Sequence, residues 1–341
     1  MRKMIYIGEF PPPYGGVTTK NMNIKKYLLY DIEVSYVDLQ RCKRNLLLAI
    51  YSLVRIVLAA LLKHRIYIGI GMQKRVYMLL LFLKLIGGKN ALSRTRIFVM
   101  ASTLPEYCAQ NSKMVDLLKQ CHRLYFELET MFEEIKPFQL TNYALLPNCR
   151  NGCDAVPPHK RHTPLKLLFF SRIHPQKGVE ILFAMMDELD KKNIAYTMDF
   201  YGPIEPSFVE TFQQGIAKYK KATYKGTFDS KSDNVYEKMN EYDLFLLPTR
   251  WPGESCCGAI IESKFAGIPA VVSDWHYNSE LVSEGEGIVV KEYSGCAFAD
   301  VIISIDEGNI SYDKMAEKAF LSRSKFDFAY YRELLLNDIT I

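Results

Sequence analysis

Leu244-Phe245-Leu246-Leu247-Pro248-Thr249-Arg250-Trp251-Pro252-Gly253-Glu254-Ser255-Cys256-Cys257-Gly258-Ala259-Ile260-Ile261-Glu262-Ser263-Lys264-Phe265-Ala266-Gly267-Ile268-Pro269-Ala270-Val271-Val272 contains two strands, one helix and the breaks that separate them. The apolar run stops at Pro248, which cannot donate to a sheet ladder. A Pro/Gly loop then presents Glu254. A helix is expected to about Ala266, capped by Gly267 and barred from continuing by Pro269. The next strand begins at Ala270. This is a β–loop–α–β unit with small residues at the helix start. The free N–H groups of Ser255–Gly258 suit an anion or a sugar oxygen.

The same alternation runs outward in both directions. Strands are expected at 4–8, 34–38, 66–70, 97–101, 124–127 and 143–146, then at 166–170, 197–201, 223–225, 244–247, 270–273 and 288–290. Helical runs fill the spaces at 19–30, 45–63, 76–85, 113–119, 129–135, 178–189, 206–219, 234–241, 258–265 and 279–282, with two more across 312–337. Continuous apolar strands separated by helices predict parallel sheets covered on both faces. The stretch 147–164 carries Pro147, Gly152, Pro157, Pro158 and Pro164 and reads as a linker. The expected fold class is α/β, with two Rossmann-like doubly wound domains facing a ligand-binding cleft.

The 341 residues are 49% hydrophobic and 24% charged, with a mean hydropathy of −0.06. That excludes disordered, collagen-like and membrane-spanning classes. The net charge of +5 is uneven: residues 1–150 hold 22 Lys/Arg against 10 Asp/Glu, a net of +12, and the remainder is −7. A basic first half suits an anionic partner: phosphate, acidic glycan or the inner leaflet of a membrane. Eight cysteines in a chain this long are too sparse for a disulfide scaffold, and no secretory leader opens the sequence. Both point to a cytoplasmic protein. Cys149 and Cys153 lack a second pair at zinc-finger spacing, so no metal is expected.

The apolar run 46–62 is shorter than the roughly 20 residues of a span and has Arg55 in its middle. A buried or half-buried helix is the favoured reading. With 76–86 and the nearby Lys63, Arg65, Lys74, Arg75 and Lys84, a helix lying on a membrane surface is the other.

Glu254 and Glu262 are eight residues apart, a spacing that means little alone. Twenty-two glutamates in 341 residues give about 1.4 such pairs by chance, and the chain has three, with Glu180/Glu188 and Glu284/Glu292. Only Glu254/Glu262 straddles a loop and a helix start after a strand. That segment strongly resembles the Glu-x7-Glu region of the glycogen-synthase-like retaining glycosyltransferases of GT-B fold, the family called glycosyl transferases group 1. Ser273-Asp274-Trp275-His276-Tyr277-Asn278-Ser279-Glu280 looks like members that build capsule, O-antigen (lipopolysaccharide) or exopolysaccharide. Phe10-Pro11-Pro12-Pro13-Tyr14-Gly15-Gly16-Val17 is similar to the family's first loop, and Phe170-Ser171-Arg172-Ile173-His174-Pro175-Gln176-Lys177-Gly178 to its donor loop. Tyr224-Lys225-Gly226-Thr227-Phe228 stands before the 243–248 strand as in the family. The likeness extends over nearly the whole chain and is strongest in 165–290.

The resemblance implies an acceptor-binding domain over 1–150, a donor-binding domain over 164–324, and a helix at about 325–341 packing back on the first. It implies that Arg172 and Lys177 hold the diphosphate of a nucleoside-diphosphate sugar and stabilise it as it leaves. Glu262 would accept the ribose hydroxyls. Glu254 would accept a hydroxyl of the transferred sugar, helped by the amides of Ser255, Cys256, Cys257 and Gly258. Gly15 and Gly16 would let the first loop approach the phosphates. Arg172, Lys177 and Glu254 are thus the expected catalytic residues.

The chain departs from the family pattern twice. The loop after the fourth strand reads Phe98-Val99-Met100-Ala101-Ser102-Thr103-Leu104, with no histidine, so Ser102 or Thr103 is left to contact sugar or acceptor. The usual aromatic–glycine pair after the first motif glutamate is Cys256-Cys257. No Asp-x-Asp occurs among 16 aspartates, so transfer without metal or other cofactor is expected. The expected activity is retaining transfer of a hexose from a nucleotide sugar to a glycan or lipid-linked glycan acceptor, with peripheral contact at the inner membrane face. The alternatives are a sugar-nucleotide epimerase or hydrolase, or a non-catalytic glycan- or nucleotide-binding protein on the same scaffold. No nucleic-acid module is recognisable.

Overall fold

The computed structural model describes residues 3–13, 15–228 and 234–340. Met1, Arg2, the first-loop residue Tyr14 and Ile341 lie outside the described residues. The chain divides into two units, one comprising Met1–Cys149 with Tyr331–Ile341, the other Arg150–Tyr330.

The first unit runs β1 (Met4–Gly8), α1 (Gly16–Asn23), β2 (Val34–Asp38), α2 (Leu39–Cys42), α3 (Leu46–Leu61), β3 (Arg65–Gly69), α4 (Gln73–Leu92), β4 (Thr95–Phe98), α5 (Leu104–Gln110), α6 (Ser112–Gln120), β5 (Arg123–Phe126), α7 (Thr130–Ile135) and β6 (Tyr143–Leu145). The second runs β7 (Leu165–Phe170), α8 (Val179–Lys191), β8 (Tyr196–Tyr201), α9 (Val209–Ile216), β9 (Ala222–Tyr224), α10 (Val235–Met239), β10 (Leu244–Leu247), α11 (Gly258–Phe265), β11 (Ala270–Ser273), α12 (Asn278–Leu281), β12 (Gly287–Val290), α13 (Gly295–Asp306) and α14 (Tyr312–Ser322). Then follows α15 (Phe328–Thr340).

Every expected strand forms, with ends shifted by no more than three residues. The helices differ more. The first begins at Gly16 rather than 19 and passes into a π-helical turn, Ile24–Leu28. α2, α5 and α13 were not expected. The first two are short, and α13 mixes small and β-branched residues (Gly295, Ala297, Val301, Ile302, Ile303) that blur a helical period. Its start was marked nonetheless: Ser294 accepts a hydrogen bond from the Ala297 amide.

Both sheets are parallel throughout. The first has the order β2-β1-β3-β4-β5-β6 and the second β9-β8-β7-β10-β11-β12. β3 and β10 are buried along their whole length, as strands covered on both faces must be. Strand order reverses between β1 and β3 in the first sheet and between β7 and β10 in the second. At such a reversal, successive crossover helices leave on opposite faces and a crevice opens outside the carboxyl ends of the strands.

In the first unit, Arg96 of β4 is fully buried and lies against Asp338 of α15. Its Nε donates to Asp338 Oδ2 at 2.5 Å, the Tyr125 hydroxyl donates to the same oxygen at 2.6 Å, and His122 Nε2 lies 2.9 Å from Oδ1. A second buried pair, Lys20–Glu127 at 2.7 Å, fixes α1 to the end of β5. α4 lies close against α3 at Gly87, where a Cβ would stand 3.0 Å from the Ala60 carbonyl oxygen.

Candidate active site

The reversal in the second sheet lies between β7 and β10, and the loops leaving these strands carry the donor-loop motif and Glu254. They meet through one backbone bond, Arg250 N–H to Gln176 C=O at 2.7 Å. Gly178 makes the approach possible. Its φ is +79°, and a Cβ there would fall 1.9 Å from the Pro248 carbonyl oxygen. A side chain at 178 would therefore push apart the two loops that hold the functional groups.

Lys177, buried, donates from Nζ to Glu254 Oε2. The Thr249 hydroxyl donates to the same oxygen at 2.8 Å and accepts from the Trp251 amide at 3.1 Å. Thr249 is held in turn by Ser273 at the end of β11, whose hydroxyl donates to the Thr249 carbonyl at 2.6 Å. Trp251 forms the floor beside this group. The Arg172 guanidinium lies 4.5 Å from its ring centre and the His174 ring meets it edge-on at 5.2 Å. Trp275 donates from Nε1 to the Trp251 carbonyl at 2.8 Å. Both tryptophans are thus packed into the site. The exposed guanidinium and the buried ammonium lie beside one indole, and a carboxylate holds the ammonium. An ammonium has three donors, of which Glu254 takes one.

α11 starts at Gly258 with Cys257 as its N-cap, no side chain capping it and no acidic residue in its first turn. Glu254, Ser255 and Cys256 are buried, while Cys257 and Gly258 are part-exposed. Burial, with the Glu254 carboxylate adding to it, pushes the Cys257 thiol up to about 12, so it is a neutral thiol at physiological pH. The helix ends as expected: Gly267 has φ +68° beside Pro157 and Pro158.

Glu262, on α11, is paired with a residue sequence reading did not single out. Arg150 donates to Glu262 Oε1 from Nε at 2.9 Å and from Nη2 at 2.8 Å. Arg150 is buried, and its amide and carbonyl are bound by Phe326 and Phe328. Thr249 was likewise missed. Its only signal was its place directly after the strand-ending Pro248. Arg150 had none, lying 112 residues from its partner.

The remaining candidates lie in the first unit, on the carboxyl edge of its sheet. Gly15 and Gly16 open α1 after β1, and where a side chain would sit at either position there is open space within 4 Å. Ser102 and Thr103 are half-exposed in the loop after β4, where Thr103 is the N-cap of α5.

One further set of possible metal ligands exists among the described residues: His159, His162 and Asp243. Asp243 is fully buried, accepting from the amides of His162 at 2.8 Å and Lys166 at 2.7 Å. It immediately precedes β10, so it lies at the amino edge of the sheet, opposite the loops of the candidate site. Its bonds tie the linker to the sheet.

The fold and site define a two-domain GT-B architecture with cations and a carboxylate gathered at a strand-order reversal. Residues 155–321, just under half of the chain, match the family described as glycosyl transferases group 1. Among solved structures, Anabaena HepE in complex with UDP-glucose is similar over 100% of both chains, with a TM-score of 0.75 and 15% identity. The apo form of the lipopolysaccharide outer core galactosyltransferase WaaB is similar over 99% of both chains, at 0.69 and 15%. TarM is similar over 80% of this chain and 54% of its own, at 0.61 and 14%. No curated protein sequence matches the chain.

Proposed function

We propose that this glycosyltransferase moves a sugar, with retention, from a nucleoside-diphosphate sugar to a hydroxyl of a glycan or lipid-linked glycan in bacterial surface polysaccharide synthesis. The observation that carries the reading is the meeting of Lys177, Arg172 and Glu254 around Trp251. Arg172 and Lys177 take the donor diphosphate and stabilise its growing charge as the glycosidic bond breaks. In that role they replace a metal ion, and no other cofactor is used. Glu254 holds Lys177 in place and accepts a hydroxyl of the transferred sugar beside the amides of Ser255–Gly258. Glu262, steadied by Arg150, accepts the ribose hydroxyls. Gly15 and Gly16 approach the phosphates, and Ser102 and Thr103 contact sugar or acceptor. The departing phosphate takes the acceptor proton on the face it leaves, which is what retention requires. The transfer takes place on the cytoplasmic side, with a lipid-linked acceptor bringing the protein to the inner membrane face.

HepE was solved with UDP-glucose, so UDP and its sugars are the first donors to try. The test is thermal stabilisation by UDP, GDP, ADP and their common sugar conjugates without metal, beside Arg172→Ala and Glu262→Gln. Glutamine is chosen because it keeps an oxygen that can accept from buried Arg150. A ligand at 100 times its Kd adds about 2.7 kcal/mol. A shift with one base, lost in both variants, is expected. No shift with any nucleotide would overturn the donor assignment. Consumption of donor to give free epimerised or hydrolysed sugar, with no lengthened glycan, would replace transfer by the epimerase or hydrolase reading.

A further inference from the structure

α3 is apolar but for Tyr51, Ser52 and Arg55, the last lying at the flank of the exposed stripe with its guanidinium over the Tyr51 ring at 5.4 Å and donating to the Tyr36 carbonyl at 3.1 Å, and only one side of the helix is packed. Ser52, Ile56, Ala59 and Ala60 are buried against the unit. The opposite stripe, Leu47, Ile50, Tyr51, Val54, Leu58 and Leu61, stands in solvent, Leu47 at 79% exposure and Leu61 at 56%. On α4, which packs beside it, Met78 and Leu85 are also exposed, Leu85 at 81%. Isolated exposed leucines are ordinary, but six exposed apolar residues along one stripe of a helix mark a contact surface. An apolar hollow of about 460 Å³ continues it inward, with Ile7, Ile56 and Ile70 among its lining and Lys74 and Arg75 beside them.

The charge carried by this segment has one sign, although Glu9, from outside it, pairs with Arg75 at 2.7 Å and with Lys43 at 3.4 Å. Between Asp38 and Glu106 there is no acidic residue and there are twelve Lys/Arg. The rest of residues 1–150 carries ten of each sign, so the whole excess of the basic half falls in this segment. Arg41, Lys43, Arg44, Lys63, Lys74, Arg75, Lys84 and Lys89 are exposed.

We infer that the α3–α4 face of the first unit inserts into an anionic lipid leaflet, the apolar stripe among the acyl chains and the lysines and arginines among the headgroups. α3 has 16 residues, about 24 Å at about 1.5 Å per residue, short of the roughly 30 Å hydrocarbon core. No helix among the described residues is long and apolar enough to cross a membrane. The helix therefore lies along the surface. A protein partner would need polar groups to meet its own, and the outer stripe offers only the Tyr51 hydroxyl. A second copy docking by the same face would bring like charges together, which disfavours it. Anionic lipid satisfies both surfaces at once. This places the membrane contact of the proposed function on a particular surface, but it does not depend on the donor chemistry.

The test is sedimentation of the full-length protein with vesicles of phosphatidylcholine alone and of phosphatidylcholine with phosphatidylglycerol. Wild type is expected to pellet with the anionic vesicles, and Leu47→Glu/Leu58→Glu to lose tenfold or more of that partition. Lys63→Gln/Lys84→Gln should lose about tenfold on anionic vesicles only. Both variants should keep the wild-type Tm and nucleotide shift, which separates lost docking from misfolding and from a wrong donor assignment. Wild type remaining in the supernatant with either vesicle would overturn the inference, as would unchanged partition of Leu47→Glu/Leu58→Glu. A dimer in sedimentation velocity that disappears in the same variant would reassign the face to self-association.

Discussion

At the residue scale, the Lys177–Glu254 pair links stability to function. Both groups are buried, at 8% and 10% side-chain exposure. Removing one partner strands the other charge away from water, which costs about 3–5 kcal/mol. Lys177→Ala is expected to lose that much in urea unfolding, and Lys177→Ala/Glu254→Gln to recover part of it, giving a coupling energy above about 1 kcal/mol. Additive single losses would mean that the two groups do not sense each other. Nothing local to either residue announces the pair. Lys177 and Glu254 were legible only because two separated loops both resembled one family. Arg150 and Thr249 had no such help: each matters through a partner, and partners are set by the fold. Cys256 and Cys257 were legible as a departure, and the structure supplies the physical consequence of one of them. Desolvation first, and the Glu254 carboxylate second, raise the Cys257 thiol pKa, which disfavours the nucleophilic thiolate.

At the element scale, strands were easier to read than helices. In a sheet covered on both faces each strand is a short continuous apolar run, and punctuation brackets it. Helices here are harder, because several are short or carry β-branched residues on a buried face. The loop after β7 is the element on which the site depends most. Gly178 combines a left-handed backbone with contact against the Pro248 carbonyl, so Gly178→Ala fails on both conformation and space. It is expected to destabilise the chain by more than about 1 kcal/mol in denaturant titration. Because Lys177 is its neighbour, the same change should weaken nucleotide binding by more than the lost stability alone accounts for. Wild-type affinity in the variant would show that the loop adjusts without moving the lysine.

At the scale of the whole molecule, the first unit is completed by a segment remote in sequence. Burial alone would raise the Asp338 pKa, but the hydrogen bonds from Tyr125 and Arg96 outweigh it and hold the carboxyl below its ordinary range. A carboxylate whose pKa is lower folded than unfolded stabilises the fold above its unfolded pKa. That contribution disappears as pH falls through the folded value. Stability measured by denaturant titration is therefore expected to fall as pH drops below about 4. In Asp338→Asn, which is less stable near neutrality, this part of the decline should be missing. An unchanged acid profile in the variant would assign the loss to other carboxylates. The doubly wound architecture was legible from the alternation of strands and helices. This closure was not, since nothing near Arg96 in sequence names a partner 242 residues away.

That distance has a consequence for synthesis. The ribosome delivers β1 to β6 first, then every residue of the second unit, and only afterwards Asp338. Until then Arg96 lacks Asp338, the carboxylate it pairs with among the described residues, whereas the second unit is contiguous in sequence over Arg150–Tyr330. The expected consequence is that the first unit completes its core only after the second has been delivered. Stalled chains carrying residues up to 330 outside the tunnel should show a protease-resistant second unit and a digestible first. Resistance of both would mean that Arg96 closes its core without Asp338.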